Sequence, residues 1–368
     1  MNKLNFIDLK TPIKKYNKII NERIKKVLDH GQFIMGPEVK ELEVKLSQFV
    51  GTKYCVTTAS GTDALLISLM SLGIKRGDEV ITSPFSFIST AEVIVLLGAK
   101  PVFVDIRIDT CNIDPKILEK KISKKTKAII AVSLFGQPAE FKDINYIANK
   151  YKIPVIEDAA QSFGSEYMNR KSCNLSTIGC TSFFPSKPLG CFGDGGAIFT
   201  NDKKIYELSS QIRLHGAVKK YIHNHIGIQG RMDTLQCAVV LAKLTFFNKE
   251  LISRKKIGKY YNNAFDKINL GRIKILPKTN SVYGQYTIFL NHRDKIKELL
   301  NNLNIPTTVN YPMPIDHQKP YLVYRKKTNT NALIASKTVL SLPMHPYLKK
   351  IDQDIIIKKI QKLTEITK

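Results

Sequence analysis

Between about residues 50 and 200, short apolar runs recur, each followed by a segment whose apolar positions repeat at helical spacing. The runs predict strands at Tyr54–Thr58, Glu79–Thr82, Pro101–Asp105, Ala128–Ser133, Pro154–Glu157, Cys180–Phe184 and Ala197–Thr200. Several are apolar throughout instead of alternating, as strands covered by helices on both faces must be. Helical patterns over Asp63–Leu72 and Phe141–Tyr151 supply such covers. The prediction is an α/β domain with a mostly parallel sheet. The first fifty residues read as an arm with two helices, broken at Gly31 and at Gly36-Pro37. After about residue 245 the pattern changes to a polar helical segment, Asn248–Ile268, a β-like run at Tyr283–Leu290, a helix near Asp294–Leu303 and a Pro-rich loop over 305–320. We therefore expect a large domain over 1–245 and a smaller α+β domain over 246–368.

Composition changes this picture little. A hydrophobic fraction of 43% is ordinary for a globular chain of 368 residues. No run approaches the ~18 apolar residues that span a bilayer. The stretch Met1–Asp8 has no apolar core or cleavage site of a secretory signal, so the expected location is the cytoplasm. The six cysteines show no C-x-x-C pair and no metal-ligand spacing, which points to reduced, buried thiols and no metal. The formal net charge of +26 comes from lysines spread along the chain, with no nucleic-acid module signature beside them. Nucleic acid is therefore not an expected partner.

Three local patterns carry chemistry. In Thr181-Ser182-Phe183-Phe184-Pro185-Ser186-Lys187-Pro188-Leu189-Gly190, a strand ends in a tight loop bearing one lysine, and Gly193-Asp194-Gly195-Gly196 follows. Such a lysine is either solvated or packed so that its amine loses basicity, the condition for reversible imine chemistry with pyridoxal 5′-phosphate (PLP). In Val155-Ile156-Glu157-Asp158-Ala159-Ala160-Gln161-Ser162, an apolar strand delivers an acid to its carboxyl end, where α/β sheets bind ligands. Asp158 there either caps the helix beginning at Ala159 or holds a pyridine nitrogen in its protonated form, with Gln161 reaching the ring hydroxyl. In Thr57-Thr58-Ala59-Ser60-Gly61-Thr62-Asp63, a strand turns into a helix whose free N–H groups suit a phosphate. The run Ser83-Pro84-Phe85-Ser86-Phe87-Ile88-Ser89-Thr90 offers an aromatic that is either a core residue or able to stack on a pyridine face.

In this order and spacing, the three patterns resemble the DegT/DnrJ/EryC1/StrS family of sugar aminotransferases, from Phe6-Ile7-Asp8-Leu9 to Ser341-Leu342-Pro343-Met344-His345-Pro346. The resemblance is closest in Glu157–Gly164 and Ser182–Gly196. It implies fold-type I PLP architecture and a homodimer with the site at the subunit interface. It also implies a cofactor that alternates between PLP and pyridoxamine phosphate. By position, Lys187 would be the Schiff-base lysine and proton shuttle, Asp158 the partner of the pyridine nitrogen, Gln161 of the ring oxygen, and Phe87 the stacking ring. Thr62, Asp63 and Ser182 would surround the phosphate. A branch of the family that dehydrates sugars has histidine at the lysine position, which is Lys187 here.

Within the family, the chain looks most like the enzymes that aminate C3 of UDP-2-acetamido-2-deoxy-3-keto-glucuronate with glutamate, for O-antigen and other surface polysaccharides. Two positions depart from the pattern. Gln229 stands where the family has an asparagine that reaches the phosphate of the neighbouring subunit, and Asn310 stands where the uronate branch has a histidine before Tyr311. Arg231, Asn310 and Tyr311 would lie near the sugar, Arg231 serving either a sugar carboxylate or a dimer-interface salt bridge. His215, His223 and His225 receive no role. The alternatives are a dTDP-3-keto-6-deoxyhexose or 4-keto acceptor, or a non-catalytic regulator that uses the same fold to bind nucleic acid.

Overall fold

A computed structural model describes residues 4–325 and 329–366; Met1–Lys3 of the N-terminal stretch lie outside them. Its centre is a seven-stranded sheet built from β1 (Tyr54–Thr58), β2 (Glu79–Thr82), β3 (Lys100–Phe103), β4 (Thr126–Val132), β5 (Val155–Asp158), β6 (Ile178–Ser182) and β7 (Gly196–Thr200), in the order β1-β7-β6-β5-β4-β2-β3. The pairs from β6 across to β3 are parallel, while β7 runs antiparallel to both of its neighbours. All seven strands coincide with the sequence expectation to within two residues at either end.

The continuous apolar runs have the expected cause. Ala128, Ile130, Ile156 and Ile198 face a layer containing Ala64, Leu65, Val93 and Ile205. Ile129, Ala131 and Val155 face Phe141, Ile144 and Ala148 on the other side. Each strand is thus buried on both faces. In the N-terminal arm, Gly31 ends helix Asn17–His30 with a left-handed φ of 68°, and Gly36-Pro37 starts helix Pro37–Val50. A short helix, Lys10–Lys15, precedes the two that the pattern predicts.

The C-terminal core surrounds an antiparallel pair, β8 (Tyr286–Phe289) and β9 (Val339–Leu342), packed with helices Arg293–Asn302 and Lys350–Ile366. The helix expected from Asn248 begins instead at Thr234 and runs to Asp266. Its first half (Cys237, Val240, Leu241, Phe247) belongs to the core beside β1 and β7, and its second half (Ile257, Tyr261, Phe265) belongs to the C-terminal core. Residue 245 therefore falls inside one continuous helix. A second tie joins the two regions: the buried Asp105, just past β3, accepts the N–H groups of Asn331 (2.8 Å) and Ala332 (2.9 Å) in the first turn of helix Thr330–Thr338.

Candidate active site

Register brings three strand ends together, because Gly196 pairs with both Thr58 and Ser182. Immediately after β1, Ser60 caps helix Gly61–Ser71: its backbone is extended, and its hydroxyl accepts the N–H of Asp63 at 3.0 Å and donates to that residue's carboxylate at 3.0 Å. The N–H groups of Gly61 and Thr62 point out of the helix start. Space here is tight. A Cβ on Gly61 would lie 2.7 Å from Ser182 Cβ, and one on Gly196 would lie 2.4 Å from the Ser60 carbonyl oxygen. Ser182 Oγ accepts the N–H of Phe184 at 3.2 Å, which leaves its proton free to donate. The result is a small cradle of backbone and hydroxyl donors sized for an anion such as a phosphate. Burial raises the pKa of the Asp63 carboxyl, its bond to Ser60 lowers it, and the nearby Asp194 adds to the rise.

Beside the cradle, β5 ends in two acids that strand alternation sends to opposite faces. Glu157 turns into the protein, where it accepts from Ser133 Oγ (2.8 Å), Ser172 Oγ (2.6 Å) and Cys173 N (2.7 Å). Asp158 accepts from Thr90 Oγ1 at 2.9 Å and from Ala160 N at 3.2 Å. Burial is the largest influence on Asp158 and raises its pKa, while these two donors and the charge of Lys187 pull it down. Lys187 keeps part of its surface open, yet protein atoms crowd its amine. Burial lowers its basicity, offset by the attraction of Asp158.

Gln161 is held from both sides. Its Oε1 accepts the N–H of Phe135 at 2.8 Å, and its Nε2 donates to the hydroxyl of Tyr311 at 3.1 Å. That pairing fixes which end of the amide faces the site and leaves one N–H for a ligand oxygen. The Tyr311 ring lies 6.1 Å from Phe85 and 6.4 Å from Phe87. Phe85 is buried, whereas Phe87 is 54% exposed, an aromatic face presented at the strand ends and not spent on the core.

Lys187, Asp158, Gln161, Phe87 and Tyr311 thus form one group, with Thr62, Asp63 and Ser182 at the cradle. Sequence reasoning left Thr90 and Phe135 without a role. The signal for Thr90 was only its place at the start of helix Ser89–Leu96, three residues after Phe87; Phe135 acts through its backbone and had none. Gln229 and Arg231 flank Gly230, whose carbonyl accepts the N–H of Ala59 just after β1 at 2.8 Å, on a segment also tied to the sheet by Arg213, which bonds to Glu43 and Thr57. Gln229 is exposed, and the segment's hairpin projects Tyr221 and Ile226 into solvent. Arg231 Nε and Asn310 Oδ1 are buried without a partner among the described residues.

The donor set fits PLP: an anion cradle, a carboxylate for the ring nitrogen, an amide N–H for the ring oxygen, an open aromatic face and a lysine of depressed basicity. Comparison with known proteins agrees. The chain is 49% identical, over 96% of its length and 98% of the relative's, to UDP-2-acetamido-2-deoxy-3-oxo-D-glucuronate aminotransferase of Pseudomonas aeruginosa. A crystal structure of a DegT DnrJ EryC1 StrS aminotransferase from Brucella abortus superposes with a TM-score of 0.95 at 38% identity, covering 98% of this chain and 99% of that one. That of ntda from Bacillus subtilis with bound cofactor PMP superposes with a TM-score of 0.92 at 29% identity, covering 99% and 86%. With the family model matching residues 14–361 as well, this chain belongs to the DegT/DnrJ/EryC1/StrS aminotransferase family of PLP-dependent enzymes.

Proposed function

We propose that the enzyme transfers an amino group from glutamate to C3 of UDP-2-acetamido-2-deoxy-3-keto-D-glucuronate, in the cytoplasm, for synthesis of O-antigen or a similar surface polysaccharide. The observation that carries the substrate is the 49% identity, nearly end to end, to a relative named for that reaction. The Arg231 guanidinium supports it: its Nε has no acceptor among the described residues, so its charge is one that a sugar carboxylate would neutralise. Asn310, next to Tyr311 in the chain, would be a second polar residue for the sugar.

When bound, PLP supplies a conjugated ring that withdraws electrons from the carbon being deprotonated. The protein's own groups do the rest. Lys187 would hold the cofactor, and its amine would take and return the proton at the reacting carbon; lowered basicity suits it to both. Asp158 would face the ring nitrogen as a carboxylate, Gln161 would give its remaining N–H to the ring oxygen, and Phe87 would cover one ring face. The helix start at Gly61 and Thr62, with Ser182, holds the phosphate. Exposed Phe33, Ile34, Met35 and Phe192 gather round the start of helix Thr234–Asp266, a surface suited to a second copy of the chain. In such a homodimer Gln229 would reach the partner's phosphate, and sedimentation of the holoenzyme checks the assembly. We also retain the division into domains at about residue 245.

The test is a half-reaction in reverse. PLP-loaded enzyme is mixed with UDP-2-acetamido-3-amino-2,3-dideoxy-glucuronate, with a dTDP-3-amino-6-deoxyhexose, or with glutamate, and visible absorption is followed. Loss of the visible band with the uronate and with glutamate, but not with the deoxyhexose, is the expected result. Conversion by the deoxyhexose alone would overturn the uronate assignment. Salt-sensitive DNA binding by a protein inert in all three arms would favour the regulatory alternative.

A further inference from the structure

Asp158 has to remain a carboxylate in a place that opposes it. It is buried, and removal from water favours its neutral form. A pyridine nitrogen keeps its proton only beside a negative charge, so the neutral form would disable the ring as an electron acceptor. The groups that sense Asp158's charge are few. Glu157 precedes it on β5, and the charge of Asp158 adds to the rise in the Glu157 pKa that burial causes. Tyr311 and the thiols of Cys173 and Cys180 are neutral groups whose own ionisation its charge opposes. Lys187 is the favourable cation, but imine chemistry with the cofactor occupies that same amine. What persists through the reaction cycle is hydrogen bonding, from Ala160 N and from Thr90.

Thr90 is unusual among helix threonines. At the start of helix Ser89–Leu96 a hydroxyl ordinarily bonds within its own turn. Here the wholly buried Oγ1 reaches 2.9 Å across to Asp158 Oδ2, 68 residues away in sequence. Its single proton is committed there, so the 3.1 Å contact with Ser86 Oγ must run the other way, with Ser86 donating to Thr90. A two-hydroxyl chain, Ser86 to Thr90 to Asp158, therefore points every proton toward the carboxylate. Hydrogen bonding to a charged acceptor is worth more than to a neutral one, so the chain selectively stabilises the ionised acid.

We propose that Thr90, backed by Ser86, is a positioning residue that keeps Asp158 ionised and thereby sets the protonation of the cofactor's ring nitrogen; this rests on the placement of PLP given under Proposed function. The consequence is spectroscopic. With the hydroxyl gone, Asp158 holds the ring proton less firmly and the ring carries less positive charge. The nitrogen joining Lys187 to the cofactor then becomes more basic. The pH midpoint of the visible band of the resting holoenzyme should therefore rise.

The experiment compares holoenzyme spectra from pH 5 to 10 for wild type, T90V, T90S, S86A and D158N. T90V, near in shape to threonine, should raise the midpoint by about 0.5 to 1 pH unit, a part of the worth of one charged hydrogen bond. T90S should restore it, and S86A should move it by less in the same direction. A melting curve of each apo-protein separates lost folding from the spectral effect, because a purely structural role would lower stability without moving the midpoint. If D158N shifts the band and T90V does not, the role given to Thr90 is wrong while Asp158 keeps its own. If neither shifts it, the placement of Asp158 at the ring nitrogen fails as well.

Discussion

Gly61 tests the phosphate cradle most directly. Its Cβ position is 2.7 Å from Ser182 Cβ, 3.2 Å from Ser182 Cα and 3.3 Å from Ser182 Oγ, so alanine there drives the helix start away from the end of β6. Backbone preference works in the opposite direction, since alanine suits a helix better than glycine by up to ~1 kcal/mol. Overpacking of this kind costs about 1–3 kcal/mol. In the apo-protein the two turns can part slightly. With the phosphate bound, both lips have to hold it at once, and the penalty then falls on binding. A net loss of about 1–2 kcal/mol corresponds to roughly 5- to 30-fold weaker PLP binding. Titrating apo G61A with PLP and following the visible band measures it, and G193A is the comparison, because a Cβ there meets first the movable end of Gln236, at 3.2 Å. If G61A binds PLP within twofold of wild type, with an unchanged apo melting curve, the cradle has been misplaced.

Two further outcomes follow from the same geometry. The lowered basicity of Lys187 means that below its unfolded pKa folding must bury or neutralise a charged amine, a penalty that disappears as pH rises toward 10.5, where the unfolded amine is neutral too. Apo K187M should therefore melt higher than apo wild type near pH 7, with the gap shrinking by pH 10, and its holo form should show no transamination; a gap that widened with pH would contradict the assigned direction. D105A removes the acceptor for two N–H groups of helix Thr330–Thr338 and should cost about 2 kcal/mol or more in urea unfolding, D105N less, since the amide keeps one acceptor oxygen.

The sheet was legible because its strands are apolar on both faces, so each stands out as a block between helical stretches. Helix Thr234–Asp266 was legible only in its second half. From Thr234 to Phe247 it is apolar nearly all round, as suits a helix buried on every side, and so it lacks the amphipathic rhythm that marks Asn248 onward. At the site, Lys187 and Asp158 could be found because each sits in a short contiguous motif at a strand end. Gln161 was found by the same motif, but its orientation depends on Phe135 N and on Tyr311, the latter 150 residues away in sequence. No local pattern encodes such a meeting. Thr90 illustrates the same limit: Asp158 gives its hydroxyl a purpose, and only folding brings the two together.

The 33-residue helix Thr234–Asp266 also bears on how substrate gets in. At 1.5 Å per residue it is a rod of about 50 Å, embedded at one end beside the cofactor loop and at the other in the C-terminal core. Swinging that core outward bends one unbroken ladder of backbone bonds, so resistance grows with angle, unlike the slack of a loop hinge. Entry for a bulky nucleotide sugar therefore does not use the C-terminal core as a hinged jaw that opens and shuts.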